Sequence, residues 1–148
     1  MEYEIRDADR SHCGAIAAAE TKIFSDPWSE SSVSSMVVDG GGIVTVAEAG
    51  NELLGYAVAS LAADEGEILR IAVLPEHRGG GIGRALLSAV TENLRTKGVA
   101  SVFLEVRESN HPARSLYLSA GFEECGRRKN YYRDPSEDAV LMRLDLFI

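Results

Sequence analysis

The sequence predicts a mixed α/β fold: a largely antiparallel sheet that becomes parallel in its middle, with splayed central strands and flanking helices. Three observations carry the prediction. EILRIAVL (67–74), a glycine-rich turn, an amphipathic run from Ile82 to Lys97 and SVFLEV (101–106) spell strand, helix, strand. That is a βαβ unit, whose two strands lie parallel with a right-handed crossover. IVTVAEA (43–49) and ELLGYAVAS (52–60), joined by Gly50-Asn51, read as an antiparallel hairpin. Two further strand-like runs, 122–132 and 138–146, turn at Asp134-Pro135-Ser136-Glu137 and close the chain with a second hairpin.

The remaining elements follow in order. Residues 2–6 read as a short strand, and over 9–24 Cys13, Ile16, Ala17, Ile23 and Phe24 share a helical face. The loop from Asp26 to Glu30 places Ser29 to cap a short helix reaching about Val38, which the run Asp39 to Gly42 ends. Two-residue alternation puts Leu69, Ile71 and Val73 on one face of the third strand, and Pro75 stops it. From Ile82, residues Ala85, Leu86, Ala89, Val90 and Leu94 keep helical spacing until Gly98. A last helix over about 112–120 is capped by Asn110 and stopped by Gly121.

Bulk properties narrow the function. A chain of 148 residues reads as one domain, 1–148, able to bury about two-thirds of its unfolded surface. Fifteen basic against 23 acidic residues leave a charge of −8, which repels phosphate backbones and disfavours a nucleic-acid partner. No apolar run approaches the roughly 20 residues that cross a bilayer, and the acidic N-terminus lacks an apolar signal core, so no membrane partner is expected. Cys13 and Cys125 form no CxxC pair, which points to a cytoplasmic protein with reduced thiols. His12, His77 and His111 lack ligand spacing, so no metal is expected, and no Ser-His-Asp or Cys-His grouping can be drawn.

The segment HRGGGIGRALL (77–87) is the most informative. Glycine inside a helix sacrifices about 0.5–1 kcal/mol relative to alanine. In return, a backbone without Cβ atoms can bring N–H groups close to an anion at the positive end of a helix dipole. Gly79, Gly80, Gly81, Ile82 and Gly83 would supply those groups, and Arg78 and Arg84 flank them as cationic donors. The segment is not a P-loop, lacking Gly-Lys-Ser/Thr. Nor is it a dinucleotide fingerprint, since Arg84 and Leu86 stand where the third glycine belongs. A merely flexible strand-to-helix turn is the competing reading.

Arg78-x-x-Gly81-x-Gly83, following a strand with Ile71-Ala72-Val73 ahead of a proline, resembles the pyrophosphate-binding signature of the GNAT N-acetyltransferase superfamily. PWSE (27–30), LEVRESNHPARSLYLSAGF (104–122) and RRKNYYRDPSEDAVLMRL (127–144) are similar to its bacterial ribosomal-protein alanine N-acetyltransferases. The resemblance therefore spans about 24–144 and implies the GNAT fold with acetyl-CoA as cosubstrate and direct transfer in a ternary complex. It implies that residues 78–84 cradle the pyrophosphate, that the strand Ile71-Ala72-Val73 offers a backbone N–H to the oxyanion, and that Asn110 touches the coenzyme. One departure stands out: Gly80 replaces a larger polar residue usual in this subfamily.

Acetyl transfer to an amine needs a base, a stabilised oxyanion and a proton for the departing thiolate. Glu105 shares a strand face with Ser101 and Phe103 and is either that base, as the resemblance implies, or a partner for an arginine at a strand end. Tyr117 shares a helical face with Ala113, Leu116 and Ala120, so it is either a core tyrosine or, by resemblance, the proton donor. Trp28, Tyr131 and Tyr132 would flank the acceptor groove, or only cover the core.

An α-amino group, with a pKa near 8 against about 10.4 for lysine, is about 3 kcal/mol easier to deprotonate. This favours a protein N-terminus, and the acidic surface suits a basic one. The resemblance implies the N-terminal alanine of the small-subunit ribosomal protein numbered eighteen. Three alternatives share these features: acetylation of a small-molecule amine or a lysine, a non-catalytic acyl-CoA-binding module, and an RNA-directed acetyltransferase, which the acidic composition opposes.

Overall fold

The computed structural model describes residues 2–146. Its strands are β1 (Glu4–Asp7), β2 (Ile43–Ala49), β3 (Glu52–Ala62), β4 (Glu65–Val73), β5 (Ser101–Arg107), β6 (Glu123–Tyr132) and β7 (Glu137–Asp145). They form one sheet in the order β1-β2-β3-β4-β5-β7-β6. Every pairing is antiparallel except β4 with β5, the parallel pair of the βαβ unit. The predicted fold class is the observed one. No helix of the described residues is long and apolar enough to cross a membrane.

The helices are α1 (Cys13–Ile23), α2 (Glu30–Val37), α3 (Ile82–Thr96) and α4 (His111–Ser119). Their starts are chemically defined. A 3-10 turn, Arg10–His12, leads into α1 through a capping box between Asp9 and His12. Ser29 Oγ accepts from the Ser32 N–H at 3.1 Å to cap α2, and Asn110 Oδ1 accepts from the Ala113 N–H at 3.2 Å to cap α4.

Each face of the sheet has its own core. On one, α3 and α4 lay Leu86, Leu87, Val90, Leu94 and Tyr117 against Leu54, Ile68, Val102, Leu104, Val106 and Met142. On the other, α1 and α2 pack Cys13, Ile16 and Val33 on Val44, Val46, Tyr56 and Val58. The buried side of α1 differs from the predicted stripe: Ala19 and Glu20 are buried, while Ala17 is only half-buried.

The predicted common face of Leu69, Ile71 and Val73 is corrected. Val58 opposes Arg70 while Ala59 opposes Ile68, so Leu69 is the extra residue of a bulge. Beyond it the alternation changes phase: Leu69 packs toward α1 and α2, whereas Ile71 and Val73 pack toward α3 and α4. At the same point β4 leaves β5. Their parallel register runs from Glu65 opposite Ser101 to Ile68 opposite Leu104 and no further. Thereafter β4 stays with β3 as far as Val73, and β5 stays with β7 as far as Arg107.

Gly55 on β3 makes the far end of β4 possible. A Cβ there would stand 2.6 Å from the Ala72 carbonyl oxygen and 3.2 Å from Leu86 Cδ1. Gly55→Ala is therefore expected to destabilise the fold by about 1–3 kcal/mol through overpacking, measured as a lower midpoint in urea denaturation.

Candidate active site

The glycine turn follows β4 directly. After a 3-10 turn, Pro75–His77, the Arg78 Nε donates to the Val73 carbonyl at 2.9 Å, folding the chain back over the strand end. Gly79 and Gly81 take φ of +85° and +87°, left-handed values that tax any Cβ-bearing residue. A Cβ at either would meet nothing within 4 Å, so the turn opens onto free space. Gly81 is the N-cap of α3 and supplies no side-chain acceptor. Among the described residues the N–H groups of Ile82, Gly83 and Arg84 find no acceptor; the first helical bond is Ala85 N–H to Gly81 C=O at 3.1 Å. Unpaired donors converging at a positive helix end fit a diphosphate, the group that links the nucleotide and pantetheine of acetyl-CoA.

Other predicted contacts sit close by. A Cβ on Gly83 would make ordinary contacts, 3.6 Å from Leu116 Cδ2 and 3.8 Å from Val73 Cγ2, so Gly83 lies in the seam joining β4, α3 and α4. The Arg84 Nη2 donates to Ser119 Oγ on α4 at 2.9 Å, so both flanking arginines are engaged by the protein itself. Asn110 caps α4, and on that helix Tyr117 is buried in the core with Phe122 beside it at 5.9 Å between ring centroids. Ala113, Leu116 and Ala120 pack with it. Burial pushes the Tyr117 phenol up to about 12.

Glu105 occupies the opposite face. Val102, Leu104 and Val106 point into the α3 core, so Ser101, Phe103, Glu105 and Arg107 face the other way. Its carboxylate accepts from Arg128 Nε at 2.9 Å, the arginine pairing that the sequence left open as an alternative. The pair lines a cleft of about 370 Å³ with Ser60, Glu65, Glu67 and Phe103 among its walls. Tyr131 and Tyr132 stand beside it, edge to face at 5.1 Å. The Glu105 charge pushes the Tyr131 phenol up, and burial, then Glu105, pushes Tyr132 up to about 12.

The structure thus brings Glu105, Tyr131 and Tyr132 together beside the cleft, and Tyr117, in the core on the α3 face, is near enough to add a smaller upward push on the Tyr132 phenol. Trp28 packs against the α1 and α2 core, where its ring lies 4.6 Å from the Arg70 guanidinium of β4. Sequence reading missed Arg70, Arg107 and Arg128, and it missed Glu20. Arg107 donates to the Arg133 and Pro135 carbonyls at 2.8 and 2.9 Å and covers the Tyr132 ring at 4.5 Å. The one available signal was Glu20, a carboxylate four residues after Ile16 on an otherwise apolar stripe.

Two consequences can be measured. Asn110→Ala removes the α4 cap and is expected to cost about 1 kcal/mol in urea denaturation. Tyr117 titrates near 10 when unfolded and about 12 when folded. Its raised pKa contributes stability that is complete below pH 10 and is lost as pH rises toward 12, because the unfolded chain releases its proton first. Tyr117→Phe should therefore flatten the loss of stability between pH 10 and 12, by up to about 1.4 kcal/mol per pH unit.

The chain is similar in sequence and fold to known proteins. The model of the acetyltransferase (GNAT) family matches residues 11–122. Ribosomal protein bS18-alanine N-acetyltransferase of Escherichia coli is 36% identical over 129 residues, covering 86% of each chain. The protein of that name from Haemophilus influenzae is 45% identical over 95 residues, 62% of this chain and 64% of its own. The crystal structure of the ribosomal-protein-S18-alanine N-acetyltransferase from Escherichia coli matches with a TM-score of 0.89 and 32% identity, over 99% of this chain and 96% of that one.

Proposed function

The chain belongs to the acetyltransferase (GNAT) family, and on that premise we propose that it acetylates the N-terminal alanine of ribosomal protein bS18 from acetyl-CoA. Transfer is direct, between two bound substrates, in the cytoplasm. The observation that carries this chemistry is the opening between β4 and β5, with Glu105 on one face and Tyr117 on the other. The acceptor follows from what the relatives are named for, and from the cleft beside Glu105, where Glu65 and Glu67 add negative charge against the single cation Arg128.

Acetyl-CoA, when bound, supplies an acetyl thioester. Residues 78–84 would hold its diphosphate through the N–H groups of Ile82, Gly83 and Arg84. Past Ile68 the β4 edge toward β5 is free of ladder bonds; the Leu74 N–H goes to Leu54 on β3, so alternation turns the N–H groups of Ile71 and Val73, not of Ala72, toward that edge, where either can donate to the acetyl oxygen. Glu105 accepts the proton of the α-ammonium, directly or through water, and its exchange of Arg128 for that ammonium keeps the carboxylate paired. Tyr117, neutral across the physiological range, gives its phenol proton to the sulfur as the C–S bond breaks and the amine nitrogen takes the acetyl group, and it regains a proton from solvent.

Incubation with acetyl-CoA and a peptide beginning Ala-Arg should acetylate the α-amine, while N-terminally blocked and lysine-only peptides remain unmodified by mass spectrometry. Transfer to lysine alone would overturn the acceptor. Glu105→Gln is expected to lower kcat/KM by about 10²–10⁴-fold, and unchanged turnover would remove Glu105 from the reaction.

A further inference from the structure

We infer that Glu20 and Arg70 are a positioning pair that sets the β4-side wall of the acceptor site, an inference that rests on the proposed function for what the wall contacts. Glu20 is fully buried on α1. A carboxylate withdrawn from water is costly unless its lone pairs are filled, and a well-packed apolar residue usually serves stability as well or better. Here three donors fill them. The Tyr56 hydroxyl donates to Oε2, and Arg70 Nη2 and the Trp28 N–H donate to Oε1 at 3.2 and 3.0 Å.

Arg70 extends the connection. The same Nη2 donates to the Asp26 carbonyl at 3.1 Å. Its guanidinium lies 4.0 Å from the centre of the Phe24 ring and 4.6 Å from that of Trp28. Phe24, Asp26 and Trp28 make up the loop between α1 and α2. Arg70 itself is the first residue past the Leu69 bulge, where β4 leaves β5. One ion pair therefore ties the loop that carries Trp28 to β4, while β3 keeps the strand itself in register as far as Val73. The pair lies on the Glu105 face and bonds to no residue of the 78–84 turn. Losing it should impair acceptor binding and leave coenzyme binding alone.

Trp28 is the single tryptophan of the chain, so its fluorescence reports this loop without reference to activity. Glu20→Gln and Arg70→Lys are each expected to red-shift Trp28 emission and raise its quenching by acrylamide. Each should also raise the acceptor-peptide KM about tenfold, with kcat and the calorimetric affinity for acetyl-CoA within about twofold of wild type. Arg70, 15% exposed, tolerates replacement more readily than Glu20 and carries the test alone if Glu20→Gln does not fold. Unmoved Trp28 emission, an unmoved acceptor KM, or an equal loss of acetyl-CoA affinity would each overturn the inference. If the wild-type protein acetylates no peptide, the proposed function fails, while the fluorescence still decides whether the pair holds the loop.

Discussion

The site depends on a parallel strand pair that is joined over four register positions and then parts. Backbone N–H and C=O groups in a sheet are normally paired with the neighbouring strand, and leaving them open is unfavourable unless water or a ligand takes its place. The bulge at Leu69 makes the parting a property of the covalent sequence register. It adds one residue to β4, bends the strand and increases its local twist. Both strands remain bonded on their far sides, to β3 and β7, so the opening sits inside a rigid sheet and its edges hold their spacing.

That opening separates two electrostatic environments. On the α3 face the unpaired amides at the start of α3 form the positive end of a helix dipole, suited to an anion. The other face carries Glu65, Glu67 and Glu105, with Arg128 as their counter-charge in the cleft, and suits a cation. Two substrates of opposite charge can thus approach from opposite sides and meet where the strands part. Tyr117, buried, lies on the anion side, and the Glu105 carboxylate lies on the wetter cation side.

What was legible in the sequence was whatever local chemistry dictates. The Ser29 and Asn110 caps, the start of α3 at Ile82, the hairpins and the βαβ unit all follow from short-range patterns, and the structure reproduces them. The glycine turn was legible because glycines at positive φ leave a mark in composition. The Leu69 bulge was not, since an apolar strand residue reads alike whether it alternates or intrudes. Nor were the partners of Glu105: its alternation gave its face, but Arg128 lies 23 residues away and is brought alongside only by β7 pairing with both β5 and β6. Long-range ion pairs have no periodicity to read.

Two of the arginines that sequence reading missed, Arg70 and Arg107, share a design. Arg70, on the β4 side of the parting, donates to the Asp26 carbonyl and the Glu20 carboxylate and lies against Phe24 and Trp28. Arg107, on the β5 side, donates to the Arg133 and Pro135 carbonyls and the Glu137 carboxylate and lies against Tyr132. In each case an arginine rising from the strand fastens a loop and lies against an aromatic ring that the loop carries. Lysine could not do this, because the task needs several donors in a fixed plane and a flat face for stacking at once. A loop so fastened loses its conformational freedom during folding, before an acceptor arrives, and less ordering cost then remains to be met on binding. The two loops therefore belong mechanically to the sheet and share its rigidity.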